Sequence, residues 1–160
     1  MELEPGLKKV LKTTEKNSGV YVLELQTIKP LQIKAKKFLG NQFPKGFYYY
    51  SGSAQKNLRQ RLERHLRKNK IICWHIDHLT ANSLVKVRTI FISNESAKNL
   101  ECEIIGTMLS RFEVAIAVEK FGNGDCDSCN SHLLYSKKKI DHNHFISLYQ
   151  SIVRFIPSSK

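Results

Sequence analysis

The chain has 160 residues and a formal net charge of +12, from 26 Lys and Arg against 14 Asp and Glu. This length fits one domain with its own hydrophobic core. No continuous apolar run approaches a membrane span, and residues 1–19 lack the apolar stretch of a secretory signal. We therefore predict a single-domain cytoplasmic protein, residues 1–160, with no membrane partner. The excess positive charge favours a polyanionic partner such as nucleic acid.

Five segments have the composition or the alternation of β-strands. They are either rich in β-branched and aromatic side chains or alternate apolar with polar positions. These patterns predict strands at residues 18–25, 31–37, 47–51, 84–92 and 114–118. Together with the helices described next, they predict an α/β (α+β) fold with a small central, mainly antiparallel sheet flanked by helices.

A basic helix is predicted between the third and fourth strands. Leucines recur at four-residue spacing from Leu58, which predicts a helix over 57–68. Seven Lys or Arg and one acid, Glu63, lie between residues 56 and 70. We interpret most of these cations as a phosphate-contacting surface, with a solvated basic face as the alternative: Lys56, Arg59, Arg64, Arg67, Lys68 and Lys70.

A second helix should begin near Asn94 or Ser96, and its apolar stripe contains Glu101. An ionised carboxylate on a core-facing stripe is costly unless it is paired or binds a metal. Glu101 is therefore a candidate metal ligand, with a carboxylate at the stripe edge paired to Lys or Arg as the alternative. Glu103 falls on the polar side of the same helix. A closing helix is predicted at 142–155.

The cysteine-containing loop has a spacing that suits zinc. Cys126, Cys129 and His132 are separated by two residues each, as in many three-ligand segments. A further ligand could come from elsewhere in the chain: Cys102, His75 or His78. The alternative is a tight hydrogen-bonded loop with reduced thiols, in which His132 bonds to its neighbours.

His75 and Asp77 come together on one face if residues 74–79 are extended. An imidazole beside a carboxylate could hold metal-binding residues in place or bind a metal itself. A structural pair is the other interpretation.

The order of several short motifs resembles the GIY-YIG nuclease signature. Gly19-Val20-Tyr21 and Tyr50-Ser51-Gly52 lie on the first and third predicted strands. The N-L-R-Q-R-L-E-R-H run at 57–65 is similar to the family's N-L-x-x-R-L-x-x-H helix, and a helical glutamate follows later. W-H-I-D-H-L at 74–79 and the D-C to S-H-L segment at 125–133 are similar to a branch of small uncharacterised GIY-YIG proteins, free-standing or fused to DNA-repair glycosylases. The resemblance covers a core of about residues 18–135.

This resemblance implies a metal-dependent endonuclease that hydrolyses phosphodiester bonds in nucleic acid, with DNA favoured over RNA. Tyr21 or Tyr50 would position or deprotonate the attacking water, and the resemblance leaves open which one does so. Arg61 would hold the scissile phosphate. His65 would bind phosphate or assist proton transfer, and Glu101 would bind one Mg²⁺ or Mn²⁺ ion.

Two other functions are compatible with the same residues. A non-catalytic module could bind nucleic acid through the basic segment 57–70 without cutting it. A structural zinc protein could recruit partners through the cysteine-containing loop.

Overall fold

One antiparallel sheet organises the described part of the chain. A computed structural model describes residues 5–12, 17–94, 99–122 and 128–158. Within these ranges the strands are β1 Gly19–Thr27, β2 Gly46–Ala54, β3 Val85–Ser93, β4 Ala115–Ile116, β5 Leu133–Ser136 and β6 Val153–Phe155. Their order across the sheet is β4-β5-β2-β1-β3-β6, and every neighbouring pair is antiparallel. The predicted mixed α/β fold with a central antiparallel sheet is confirmed.

Helices cover both faces of this sheet. They are α1 Pro5–Lys12, α2 Leu58–Leu66, α3 Asp77–Thr80, α4 Leu100–Arg111 and α5 His142–Ser147. Leu58 and Leu62 of α2 pack with Tyr21 and Leu23 of β1 on one face. On the other face, α4 and α5 pack against the alternate residues of β1 and β2. Because β1 is covered on both sides, nearly all of its side chains are buried. None of the helices in the described ranges is both long and apolar enough to cross a bilayer.

The predicted strand at 31–37 is wrong. Leu31 and Ile33 are buried, but Leu31 forms only an isolated bridge with Phe43, and a 3₁₀ turn follows at Lys36–Phe38. The alternation arises because a loop directs two apolar side chains into the core. In this segment the alternation of apolar and polar residues therefore reflects alternating burial and does not require pairing with a neighbouring strand.

The predicted helix at 142–155 is also wrong in its second half. The helix α5 ends at Ser147, and β6 then pairs with β3, with Ile90 opposite Phe155. A strand at this position satisfies the hydrogen-bonding groups along the edge of β3. The helical spacing of the apolar residues does not indicate that the edge of β3 needs a partner strand. The predicted start of α4 near Ser96 lies in part outside the described residues, and the described helix begins at Leu100.

A buried carboxylate links the sheet to the C-terminal segment. Glu24 on β1 is 0% exposed and accepts hydrogen bonds from Tyr49 Oη at 2.8 Å and Thr89 Oγ1 at 2.9 Å. His142 Nε2 lies 2.8 Å from the same carboxylate, and Arg154 lies 3.3 Å from the other ring nitrogen of His142. Because a guanidinium only donates, His142 accepts at Nδ1 and donates from Nε2 to Glu24. Sequence analysis missed this network, which joins β1, β2, β3, α5 and β6.

We expect Glu24→Ala to lower the free energy of unfolding by about 3–5 kcal/mol, because it leaves three buried polar groups without their acceptor. Chemical denaturation measures the change. The control is Glu113→Ala, which removes an exposed carboxylate and should have little effect. Equal stability of the two variants would contradict this account of the network.

Candidate active site

The ring of Tyr21 occupies the space that a side chain at residue 52 would fill. Tyr21 and Gly52 are opposite each other in the β1–β2 ladder, and a Cβ atom on Gly52 would lie 2.6 Å from Tyr21 Cζ. No side chain at residue 52 fits that distance without displacing the ring. In this position the Tyr21 hydroxyl lies 2.8 Å from Nε2 of His65 on α2. The glycine on β2 therefore allows a tyrosine on β1 to contact a histidine on the helix above.

His65 is the centre of an aromatic cluster. Its ring centroid lies 5.3 Å from that of Tyr21, 6.5 Å from that of Tyr50 and 6.3 Å from that of Trp74. Burial, with a smaller contribution from the Lys70 charge, lowers the pKa of His65 to about 3. The imidazole is therefore neutral at neutral pH. Its Nδ1 atom has no hydrogen-bond partner among the residues the structure describes.

Both candidate tyrosines resist ionisation. Burial, followed by the proximity of Tyr50, raises the pKa of Tyr21 well above its ordinary value. Burial and the Glu101 carboxylate raise the pKa of Tyr50 to about 12. Arg61 opposes both increases because its positive charge favours the phenolates. Each tyrosine is thus a neutral phenol unless further positive charge is added to the site.

Arg61 and Trp74 form one wall of the site. The Arg61 guanidinium donates to the backbone carbonyl of Ser53 and lies 4.9 Å from the centre of the Trp74 ring. Arg64 lies 5.0 Å from the same ring. These cation–π contacts orient two guanidiniums beside an indole that is 42% exposed. Trp74 was not singled out as a functional residue from sequence, although a tryptophan just after the basic segment 56–70 is a signal that could have indicated it.

Glu101 reaches the site from the opposite side of the sheet. It lies in the first turn of α4, where the Ser51 hydroxyl donates to its carbonyl oxygen at 3.0 Å. Burial raises the pKa of the Glu101 carboxyl, while a hydrogen bond from Ser53 and the charge of Arg61 oppose the increase. The carboxylate in turn raises the pKa of both Tyr21 and Tyr50. All five predicted catalytic residues therefore interact within one region of the molecule.

A cavity of about 250 Å³ lies beside most of these groups. Four of the five predicted catalytic residues line it, and Gly122 contributes to its wall. A Cβ atom on Gly122 would lie 2.7 Å from the Tyr50 ring, and its φ of +73° also favours glycine. The lining residues are Tyr21, Tyr50, Arg61, His65, Cys73, Trp74, His75, Ile76 and Gly122.

Asp77 anchors the segment that carries Trp74. Its fully buried carboxylate accepts from Arg64 Nη2 at 2.6 Å and from the backbone amides of Cys73 and Trp74 at 2.9 and 3.0 Å. Burial raises the pKa of Asp77, but these donors outweigh it, so the pKa lies below its usual value. Asp77 therefore holds an ionised carboxylate beneath the cavity wall.

Residues 74–79 are not extended, which corrects the prediction that His75 and Asp77 share one face. Asp77 begins the short helix α3, and its partners are those just described. His75 instead accepts a hydrogen bond from the backbone amide of Gly122 at Nδ1, at 3.2 Å. Because the backbone turns into α3 at these residues, side chains two positions apart do not share a face, and an acid in the first turn of the helix is favourable.

Three of the six cations assigned to a phosphate-contacting surface make internal contacts. Lys70 has a side chain that is 1% exposed, and its ammonium donates to the Arg64 carbonyl and to Thr80 Oγ1. In this conformation it cannot reach an external phosphate, which corrects the prediction for Lys70. Lys68 donates to three backbone carbonyls, those of Thr80, Asn82 and Val85. Arg64 is bound to Asp77 and to the Ile71 carbonyl.

The other three cations are exposed or partly exposed. Lys56 is exposed, and Arg59 and Arg67 are partly exposed. They lie just before, within and just after α2, the helix that carries Arg61 and His65. A basic surface beside the cavity is therefore formed by these three residues.

The cysteine-containing loop approaches the start of α4. The ligand atoms of Cys102, Cys129 and His132 all lie within 4.8 Å of one another. Cys129 and His132 were predicted zinc ligands, and Cys102 was one of the residues that could complete the set. The third predicted ligand, Cys126, lies outside the described residues.

These observations define a mixed α/β domain in which phenol, imidazole, guanidinium and carboxylate groups interact around one cavity. The chain belongs to the family described as a domain of unknown function, DUF123, whose model matches residues 20–154. No curated protein and no solved structure gives a significant match. The family description names no activity, so the function has to be argued from the geometry of the site.

Replacing His65 should change how stability depends on pH. The pKa of His65 is about 3 in the folded protein and about 6.5 in the unfolded chain, so the unfolded chain binds more protons between these values. The free energy of unfolding should therefore fall as the pH falls from about 6.5 towards 3. In His65→Gln this part of the slope, at most about 1.4 kcal/mol per pH unit, should disappear. Urea unfolding at several pH values measures both slopes, and identical slopes would contradict the burial of a neutral imidazole.

Proposed function

We propose that the chain is a GIY-YIG-type endonuclease that hydrolyses phosphodiester bonds in nucleic acid, with DNA favoured as the substrate. The observation that carries the proposal is the 2.8 Å contact between the Tyr21 hydroxyl and His65 Nε2 at a cavity that Arg61 also lines. Hydrolysis needs a group that accepts a proton from water and a cation that holds the phosphate. These three residues match both requirements.

Tyr21 and His65 would act as a proton relay. The attacking water gives its proton to the Tyr21 oxygen while the Tyr21 proton moves to His65 Nε2. The new bond joins the water oxygen to phosphorus, the bond to the leaving oxygen breaks, and the leaving oxygen takes a proton from solvent. A concerted transfer avoids a free phenolate, which the high pKa of Tyr21 disfavours. The negative phosphodiester in the cavity would favour the protonated imidazole, opposing the burial that lowers its pKa.

Arg61 and Tyr50 would position the substrate and the water. The planar guanidinium of Arg61 can bind two phosphate oxygens, and its contact with Trp74 fixes its orientation. Tyr50 has no histidine within hydrogen-bonding distance among the contacts of the described residues. We therefore propose that Tyr50 holds the water and that Tyr21 accepts its proton.

The residues around Glu101 fit one divalent cation. Burial raises the pKa of this carboxyl and those of both tyrosines, so all three groups would be stabilised in their ionised forms by added positive charge. A single carboxylate with the remaining positions left to water and phosphate oxygens suits Mg²⁺ or Mn²⁺. When bound, such an ion supplies charge neutralisation to the phosphate and the leaving oxygen. Glu101 is the residue that would hold it.

Glu101→Ala should abolish cleavage and retain binding. We expect a loss of more than about a hundredfold, because even residues that only support a metal ligand contribute about ten- to a hundredfold. The assay follows labelled single-stranded, duplex and branched DNA and RNA with Mg²⁺, Mn²⁺ or EDTA.

The matched control is Glu103→Ala, which removes an exposed carboxylate from the same turn of α4 and should leave cleavage unchanged. Equal rates for Glu101→Ala and wild type would refute the metal role of Glu101. Metal-independent binding with no cleavage of any substrate by wild type would favour the non-catalytic binding module instead.

The cations at the start of α2, Lys56 and Arg59, should control the salt dependence of binding. We expect the double variant Lys56→Ala/Arg59→Ala to bind duplex DNA more weakly and to reduce the slope of log K against log salt by up to about 0.9 per lost contact. Fluorescence anisotropy at several salt concentrations measures this slope. The control is Lys86→Ala, an exposed lysine opposite Gln26 at the other end of β1. If Lys86→Ala changed the slope as much as the double variant does, the nucleic acid would not bind preferentially at Lys56 and Arg59.

A further inference from the structure

Two sulfurs and an imidazole converge beside α4, and none of these three residues lines the cavity. Cys102 Sγ lies 2.8 Å from Cys129 Sγ and 3.5 Å from His132 Nε2. Cys102 belongs to α4, whereas Cys129 and His132 belong to the segment that leads into β5. The approach of these three donors depends on packing between the helix and the sheet, because about thirty residues separate Cys102 from the other two.

The donor types match zinc better than magnesium. Thiolate sulfur and imidazole nitrogen are the ligands that zinc prefers, whereas magnesium takes oxygen ligands. Around a tetrahedral zinc ion, bonds of about 2.3 Å to sulfur and about 2.0–2.1 Å to nitrogen place a sulfur and a nitrogen about 3.5 Å apart. The Cys102–His132 distance equals this value. The same bond lengths place two sulfurs about 3.8 Å apart, so Cys102 and Cys129 would separate by about 1 Å on binding.

A disulfide between Cys102 and Cys129 is the competing explanation of their proximity. Their sulfurs are farther apart than the about 2.05 Å of a disulfide bond, and a disulfide gives no role to the imidazole of His132. A metal accounts for all three donors at once. The arrangement of the imidazole therefore favours a metal over a covalent link.

We propose that Cys102, Cys129 and His132 form a zinc site, distinct from the ion expected at Glu101, that fixes the first turn of α4. Three donors leave one tetrahedral position to a further ligand. Binding releases the two thiol protons, because thiolates are the forms that ligate the metal. The site itself does not depend on the nuclease proposal.

The zinc would hold Glu101 in place. Cys102 follows Glu101 directly, and the His132 carbonyl accepts a hydrogen bond from the backbone amide of Ser51 at 3.0 Å. The His132 amide donates to the Phe121 carbonyl at 2.9 Å, which joins the same point to the cavity wall. A metal bound to both Cys102 and His132 would therefore clamp α4 to β2 and to the segment that carries Gly122. Glu101 is the side chain whose position this clamp determines.

The test is the zinc content of the purified full-length chain, measured by elemental analysis for wild type and for Cys102→Ser, Cys129→Ser and His132→Ala. We expect about one zinc per chain in wild type and most of it lost in each variant. The matched control is Cys73→Ser, which removes an exposed cysteine outside this cluster and should keep the metal.

Because a ligand variant can fail to fold, a second measurement uses wild type alone. After zinc is removed, titration with Co²⁺ should produce the thiolate-to-cobalt charge-transfer absorption of a site with sulfur ligands, and zinc should displace it. Three results would overturn the proposal. They are zinc-free wild type with no cobalt spectrum, zinc retained by folded ligand variants, and an intact mass lower by two hydrogen atoms with a Cys102–Cys129 cross-link. None of these readouts depends on cleavage, so the zinc site and the nuclease activity can fail separately.

Discussion

The hydrogen bond between Tyr21 and His65 is the contact on which the site depends. It forms because Gly52 leaves the space that the Tyr21 ring occupies, and because α2 crosses the same face of the sheet. The bond joins the centre of the sheet to the basic helix. It also places a phenol and an imidazole, both neutral at neutral pH, at the base of a cavity that Arg61 lines. Loss of the space at Gly52 would separate the two groups that we propose transfer the proton.

Two supports from outside α2 complete the site. Beneath the cavity wall, Asp77 accepts hydrogen bonds from Arg64 and from two backbone amides, and these bonds hold Trp74 beside Arg61. On the other face, the first turn of α4 supplies Glu101 next to the end of β2. The residues of the proposed site therefore come from both layers of helices and from the two strands, β1 and β2, between them. The buried carboxylate of Asp77 serves structure, whereas the partly exposed one of Glu101 is accessible to an ion.

Local pattern was enough to predict some parts of this molecule and insufficient for others. Burial on both faces of the sheet imposes a hydrophobic pattern on β1 and β2, and α2 has an apolar stripe that ordinary helical spacing indicates. Glu101 could be singled out because a charge inside an apolar stripe is costly. The burial of Lys70 could not be predicted from sequence, because its contact with Thr80 depends on the path of a loop. The hydrogen bonds around Glu24 could not be predicted either, since the partners of its carboxylate come from distant segments.

We propose that a phosphodiester binds between Arg61 and an ion on Glu101. The most direct measurement is a crystal structure with Mn²⁺ and a DNA oligonucleotide whose phosphorothioate linkages resist hydrolysis. We expect anomalous manganese density at the Glu101 carboxylate and a phosphate against the Arg61 guanidinium, with Tyr21 facing the phosphorus. An oligonucleotide bound only along Lys56 and Arg59, with no manganese at Glu101, would contradict it.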